Sequence, residues 1–161
     1  MTTQKAITLG KQRLPAFDLR LLSLLLVAMG LLVSGYLSYV QITGTEMVCA
    51  AGGQGGCNVV QNSVYAELFG IKIAYLGLAT YIVIGGLIAL QERIPLLRQY
   101  GMLLTFGVVL FAFIYSVYLV YIQAVVLRAF CQWCLAHEAI MTVLFVVTSI
   151  RTWRYFSQEA E

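Results

Sequence analysis

The chain has 161 residues, of which 61% are hydrophobic and only 11% charged, and its mean hydropathy is +0.87. Ten basic and seven acidic side chains are too few to cover a soluble domain of this size, which excludes an ordinary soluble enzyme, a disordered chain and a collagen-like chain. The net charge of +3 is small and dispersed, so nucleic acid is not an expected partner. The expected surroundings are a lipid bilayer. At roughly 20 apolar residues per span, the length suits about four helices and no separate soluble domain.

Residues 1–18 are polar and basic and read as a cytoplasmic, topogenic segment. An uncharged stretch over 21–45 then supplies the first span. Its apolar core is longer than a signal-peptide core and no small-x-small cleavage site follows, so an uncleaved helix is expected. The second span covers 73–91, after Lys72. A third runs over 99–127, between Arg98 and Arg128. The fourth runs from about 130 to 150 and is interrupted by His137 and Glu138, leaving 151–161 as a cytoplasmic tail. Backbone polar groups in lipid must be satisfied within the segment, which selects helices; barrel strands would be shorter and alternate in polarity. Pro15 and Pro95 both fall outside these spans, so no span need be kinked. The expected fold is an all-α integral membrane protein, with a four-transmembrane-helix bundle over 19–150 and both termini cytoplasmic.

Lys and Arg set the orientation. Lys5, Lys11, Arg13, Arg20, Arg93, Arg98, Arg151 and Arg154 fall on one side of the bundle, and Lys72 and Arg128 alone on the other. The richer side is cytoplasmic, so the first and third loops face outward from the cell membrane. Cys49 and Cys57 lie in the first of these loops, and Cys131 and Cys134 where the third enters the last span. All four cysteines therefore share the extracytoplasmic face, where an oxidising compartment permits two disulfide pairs.

Cys131-Gln-Trp-Cys134 is a C-x-x-C at a helix start. That spacing puts both sulfurs on one helical face, and the helix N-terminus favours thiolate, the reactive form. A static bridge over so short a loop would constrain the unfolded chain little, and a zinc site would need further ligands, for which Cys49, Cys57 and His137 are the candidates. The favoured reading is a redox pair without metal. Cys49 and Cys57 enclose seven residues of which four are glycine. Such a loop has little preferred shape and suits a cysteine that moves between partners, although a hairpin-closing disulfide would also fit. Two pairs on one face can pass electrons by thiol–disulfide exchange.

Electrons on the helical pair need an acceptor. With no haem, flavin or dinucleotide motif visible, a lipid-soluble quinone in an apolar pocket is the economical choice. At 100° per residue, Glu138 falls between Cys131 and Cys134 in angle, Met141 lies near the same stripe, and His137 is about 60° from Cys134. His137 or Glu138 can deliver a proton to quinone; the alternative is an interfacial pair that bonds neighbouring helices or reaches outward. Trp133, Tyr121 and Tyr118 read as an interfacial aromatic belt.

The order of these features carries a resemblance. A loop cysteine pair is followed by Asn62-Ser63-Val64-Tyr65-Ala66, then Gly70-Ile71-Lys72-Ile73-Ala74-Tyr75-Leu76-Gly77, then the C-x-x-C opening the last span. Over about residues 19–150 the chain resembles the bacterial branch of the vitamin K epoxide reductase family. The resemblance implies that Cys131 and Cys134 reduce quinone (menaquinone or ubiquinone), with Cys134 the nearer sulfur. It implies that Cys49 and Cys57 shuttle electrons from a thioredoxin-fold, DsbA-like partner. Ser63 matches a serine near the active site, and Ile73, Leu119 and Glu138 fall where members line the quinone pocket. Vertebrate members carry a tyrosine at the Glu138 position and an asparagine near Ile73, departures that set this chain apart from vitamin K epoxide as substrate. The sequence stops at Glu161, so the partner is expected to be a separate protein. DsbB, a convergent enzyme with the same reaction, places its C-x-x-C in the first outer loop, and the cysteine order here differs. A quinol-driven reductase and a non-catalytic scaffold with two structural disulfides are the remaining alternatives.

Overall fold

The computed structural model describes residues 16–45, 47–49, 54–91 and 93–159. Helix α1 covers Ala16–Thr43, α2 Gln54–Gln61, α3 Ile73–Leu90, α4 Pro95–Tyr121 and α5 Gln132–Glu159. Four stretches are long and apolar enough to cross a membrane: Leu19–Thr43, Ile73–Leu90, Gln99–Leu127 and Gln132–Ser157. Each long helix packs on two others, in the cyclic order α1, α3, α4, α5 and back to α1. The expected four-helix membrane architecture is present.

The ends of the helices follow local chemistry. Gly44 closes α1 in the left-handed region at φ +62°, and its N–H donates to the Val40 carbonyl at 3.0 Å. Pro95 opens α4, where its missing N–H costs nothing. The Arg20 guanidinium donates to the Ile88 carbonyl at 3.2 Å, satisfying a free carbonyl at the end of α3. Arg151 donates to the Ser23 hydroxyl at 3.2 Å, tying α5 to α1 at the same end of the bundle. Hydroxyls inside the spans bond back to carbonyls one turn earlier, as Ser34 does to Gly30 at 2.7 Å and Thr142 to Glu138 at 2.9 Å.

Three boundaries differ from the sequence reading. The last turn of the third span is not α-helical: Ile122–Leu127 forms a π-helical turn closed by Arg128 in the left-handed region at φ +48°. The fourth helix does not stop near 150, because the polar residues that follow continue it to Glu159. The first loop is also structured. It contains α2, a 3₁₀ turn at Val64–Ala66, and a hairpin of β1 (Glu67–Leu68) and β2 (Ile71–Lys72). Phe69 and Gly70, both at positive φ, make its two-residue turn, and Lys72 pairs with Glu67 across it at 2.6 Å. Of the glycine-rich stretch read as shapeless, residues 50–53 lie outside the described residues and Gln54, Gly55 and Gly56 open α2. The N-terminal segment likewise lies outside the described residues up to position 15, while 16–18 belong to α1.

Two buried clusters fill the bundle. Val27, Tyr81, Ile84, Ile88, Val109, Ile140, Met141 and Leu144 make the larger one. Leu37, Val40, Met47, Cys57 and Cys131 make the second, at the α2 end. Large apolar side chains such as Leu32, Phe111 and Trp153 point outward from the spans, as expected where lipid is the solvent.

Close helix approach relies on missing Cβ atoms. A Cβ on Gly30 would sit 2.3 Å from the Tyr81 ring, which is fully buried and has no room to withdraw. At Gly35, further along α1, nothing lies within 4 Å. Gly30→Ala is therefore expected to lower stability in detergent by about 1–3 kcal/mol through overpacking, while Gly35→Ala is neutral or slightly stabilising. Thermal unfolding of the two variants side by side checks this; equal midpoints would show that the α1–α3 contact yields freely.

Candidate active site

Both cysteine pairs meet at the α2 end of the bundle. Cys49 and Cys57 form a disulfide, and Cys131 and Cys134 are free thiols. Cys57 is placed on α2 and Cys131 immediately ahead of α5, and both are buried in the same cluster, with Cys49 and Cys134 packed against its edge. The contact is close because α2 lacks a side chain where it meets the entry to α5: a Cβ on Gly56 would lie 2.9 Å from the Phe130 carbonyl oxygen.

The start of α5 is held from several directions. The Trp133 indole donates to the Val48 carbonyl at 2.9 Å, and its ring lies 4.7 Å from that of Tyr36. Trp133 thus fastens the segment bearing Cys49 to α5, a role that a belt residue would not have. Tyr118 and Tyr121 are exposed on the bundle surface, in keeping with a belt. The Cys131 N–H donates to the Gln123 side-chain carbonyl at 3.1 Å. Gln123 itself is buried on the π-helical turn, and its backbone carbonyl accepts from the Ala129 N–H at 3.1 Å.

The two thiols differ in surroundings. The Cys134 N–H donates to Cys131 Sγ at 3.4 Å, as the free amides of a helix start allow. Cys131 lies one residue ahead of the span. Hydrogen bonding from Cys134, helped by the Trp133 amide, outweighs burial and lowers the Cys131 thiol below the usual thiol range. Cys134 faces a cavity and accepts a hydrogen bond from the Gln61 side-chain amide at 3.3 Å.

That cavity is open at its mouth, and the empty space in and before it, open solvent included, is about 640 Å³. Its walls are largely apolar, with Leu37, Val60, Ile73, Leu119, Ile122 and Leu127, and its polar groups come from Ser34, Gln61, Ser63, Gln123, His137 and Glu138. Five of the six non-cysteine residues expected at the site therefore line one space: Ser63, Ile73, Leu119, His137 and Glu138. Met141 does not. It shares the helical stripe with Cys134 and Glu138 but lies a turn deeper, packed with Tyr81 and Leu144 in the core.

His137 and Glu138 both turn inward. His137 Nδ1 lies 3.6 Å from Glu138 Oε1, and its ring meets Tyr81 edge-on at 5.3 Å. Gly77 makes room for the imidazole, since a Cβ there would lie 3.2 Å from His137 Nε2. The other carboxylate oxygen, Glu138 Oε2, is buried with no hydrogen-bond partner among the described residues. An unpartnered polar oxygen in an apolar cavity is costly and suits a ligand that brings its own hydrogen-bonding groups. Among the described residues, no three His, Cys, Asp or Glu side chains converge as metal ligands do.

Sequence reasoning missed Gln61 and Gln123. Both carried a signal: Gln123 is polar within an otherwise apolar span, and Gln61 follows Cys57 by one helical turn.

Residues 21–149 match the model of the vitamin K epoxide reductase family, a stretch that contains all four cysteines. The chain is also similar to Thiol-disulfide oxidoreductase LTO1 of Arabidopsis thaliana, at 30% identity over 123 residues. That alignment covers 73% of this chain and 32% of the relative, so the chain spans about a third of the relative's length.

Gln123→Leu removes the acceptor of a buried amide. The expected result is a loss of about 1–3 kcal/mol in stability and faster alkylation of Cys131 as the α5 entry loosens. Unfolding in detergent and peptide-level alkylation measure the two effects; an unchanged alkylation rate would show that Gln123 does not hold Cys131.

Proposed function

Because the chain belongs to the vitamin K epoxide reductase family, we propose that it is a membrane thiol–disulfide oxidoreductase that passes electrons from a thioredoxin-fold, DsbA-like protein to a membrane quinone. The observation that carries this reading is the redox arrangement of the two pairs. The Cys49–Cys57 disulfide meets the free thiols of Cys131 and Cys134 around one buried cluster, and Cys134 opens on a largely apolar cavity carrying a few polar groups.

Electrons and protons balance over three exchanges. A dithiol on the partner reduces the Cys49–Cys57 disulfide and leaves as a disulfide. A Cys57 thiolate then attacks the oxidised Cys131–Cys134 bridge, and Cys49 resolves the mixed disulfide, leaving two thiols on α5. Those thiols close to a disulfide as two electrons and two protons pass to quinone, giving hydroquinone. Quinone, menaquinone or ubiquinone, supplies a two-electron acceptor that dissolves in the bilayer. Ser63, Ile73, Leu119, His137 and Glu138 would hold its head group, with His137 and Glu138 moving the protons. The excess of Lys and Arg at the other end of the bundle supports an extracytoplasmic site in the cell membrane, where the reoxidised partner makes disulfides in exported proteins.

Single-turnover quinone reduction by purified protein, driven by reduced DsbA-like protein, tests the proposal. Cys131→Ala and Cys134→Ala are expected to abolish hydroquinone formation while the Cys49–Cys57 bridge still forms. Glu138→Gln is expected to slow the step about 10²-fold through loss of proton transfer. No reduction by the wild type, with menaquinone and ubiquinone both supplied, would leave a membrane protein with a structural disulfide.

A further inference from the structure

The Gln61 side chain touches a free sulfur and is itself oriented by another side chain. Its Nε2 donates to Cys134 Sγ at 3.3 Å. Its Oε1 accepts from the Gln41 side-chain amide at 2.6 Å, and the same Gln41 nitrogen lies 3.4 Å from the Gln61 backbone carbonyl. The two acceptors on Gln61 therefore fix which way its amide points: the carbonyl toward α1, the N–H toward α5. Successive hydrogen bonds in a low-dielectric site polarise one another, so the Gln41 amide strengthens the Gln61 donor.

The chain of donors ends on the cysteines. Gln61 donates to Cys134 Sγ, and the Cys134 amide donates to Cys131 Sγ. A thiol or thiolate sulfur accepts such bonds better than a disulfide sulfur, because oxidation removes both the S–H donor and the negative charge. The arrangement therefore favours the reduced state of the pair. Position on the helix explains how the contact arises. Cys57 and Gln61 are four residues apart on α2, so one helical face brings the loop disulfide to Cys131 and the amide to Cys134.

We infer that Gln61, oriented by Gln41, is a catalytic residue that stabilises the dithiol form of Cys131 and Cys134 and so draws electrons from the loop pair onto α5. The inference rests on the reading of Cys131 and Cys134 as a redox-active pair. It is not needed for that reading, since a pair without this donor would still exchange electrons.

The test is the equilibrium of the Cys131–Cys134 pair of the full-length protein in detergent against glutathione buffers, read by peptide-level alkylation. Gln61→Leu is expected to shift the dithiol–disulfide equilibrium about tenfold toward disulfide, equivalent to about 30 mV for a two-electron couple. Gln41→Leu is expected to move it about threefold in the same direction, because it removes the orientation and leaves the donor. The Cys49–Cys57 bridge, read in the fully oxidising buffer of the same series, reports whether α2 is intact. If Gln61→Leu loses that bridge, the Gln41→Leu shift decides, and its absence overturns the inference. A shift below twofold in an intact Gln61→Leu protein also overturns it, while the wild-type pair still cycles. A wild-type pair that stays in one state across all buffers would instead overturn the redox reading itself.

Discussion

The structure turns on one constraint: buried polar groups and thiols sit at the end of a bundle whose spans are apolar enough for hydrocarbon to be their solvent. In such a setting a buried amide or carbonyl near the site is costly unless it finds a partner. The Cys131 N–H meets this need through the Gln123 side chain, and the carbonyl of the same residue closes the π-helical turn that positions it. A π-turn widens the helix by one residue and often marks a functional position. Here it buries Gln123, whose side chain accepts the Cys131 amide where the chain enters α5.

Helix packing obeys the same logic. Lipid gives little hydrophobic reward for bringing two helices together, so close approach depends on small residues and shape. Gly30, Gly77 and Gly85 serve this purpose against Tyr81, His137 and Val27. Two of those three contacts place side chains near the cavity. Tyr81 lies against α1 at Gly30 and meets His137 edge-on, while His137 fills the space opposite Gly77. Interhelical glycines in this bundle are thus part of how the cavity wall is set, and their effect on stability and on site geometry is not separable.

Most of the architecture was legible in the sequence because a charge-free run of membrane length is seldom anything but a span. The positions of the spans followed from run length and charge. The resemblance implied Cys49 and Cys57 as one pair, and the structure bonds them to each other, while Cys134 and Glu138, close in helical angle, both line the cavity. What stayed hidden depended on contacts between distant segments. A run of glycines gave no sign that α2 would begin at Gln54, because the helix gains its stability from burying Cys57 against Cys131 and not from propensity. Met141 looked equivalent to Glu138 by angle alone, yet angle does not report depth, and the cavity ends above it. Gln61 and Gln123 were ordinary polar residues until folding set each beside a cysteine.

The two pairs also differ in what fixes them. Cys131 and Cys134 are held by a long helix, a buried glutamine and an indole, all parts of the rigid bundle. Cys57 is held by an eight-residue helix whose packing rests largely on its contact with that bundle. Short helices of this kind are marginal without tertiary support. Exchange between the pairs requires one sulfur to leave its partner and approach another, and the geometry of disulfides tolerates little misplacement. This division meets both demands of the proposed exchange: the pair facing the cavity is kept in place, and Cys57 belongs to a short helix held mainly by its tertiary contacts.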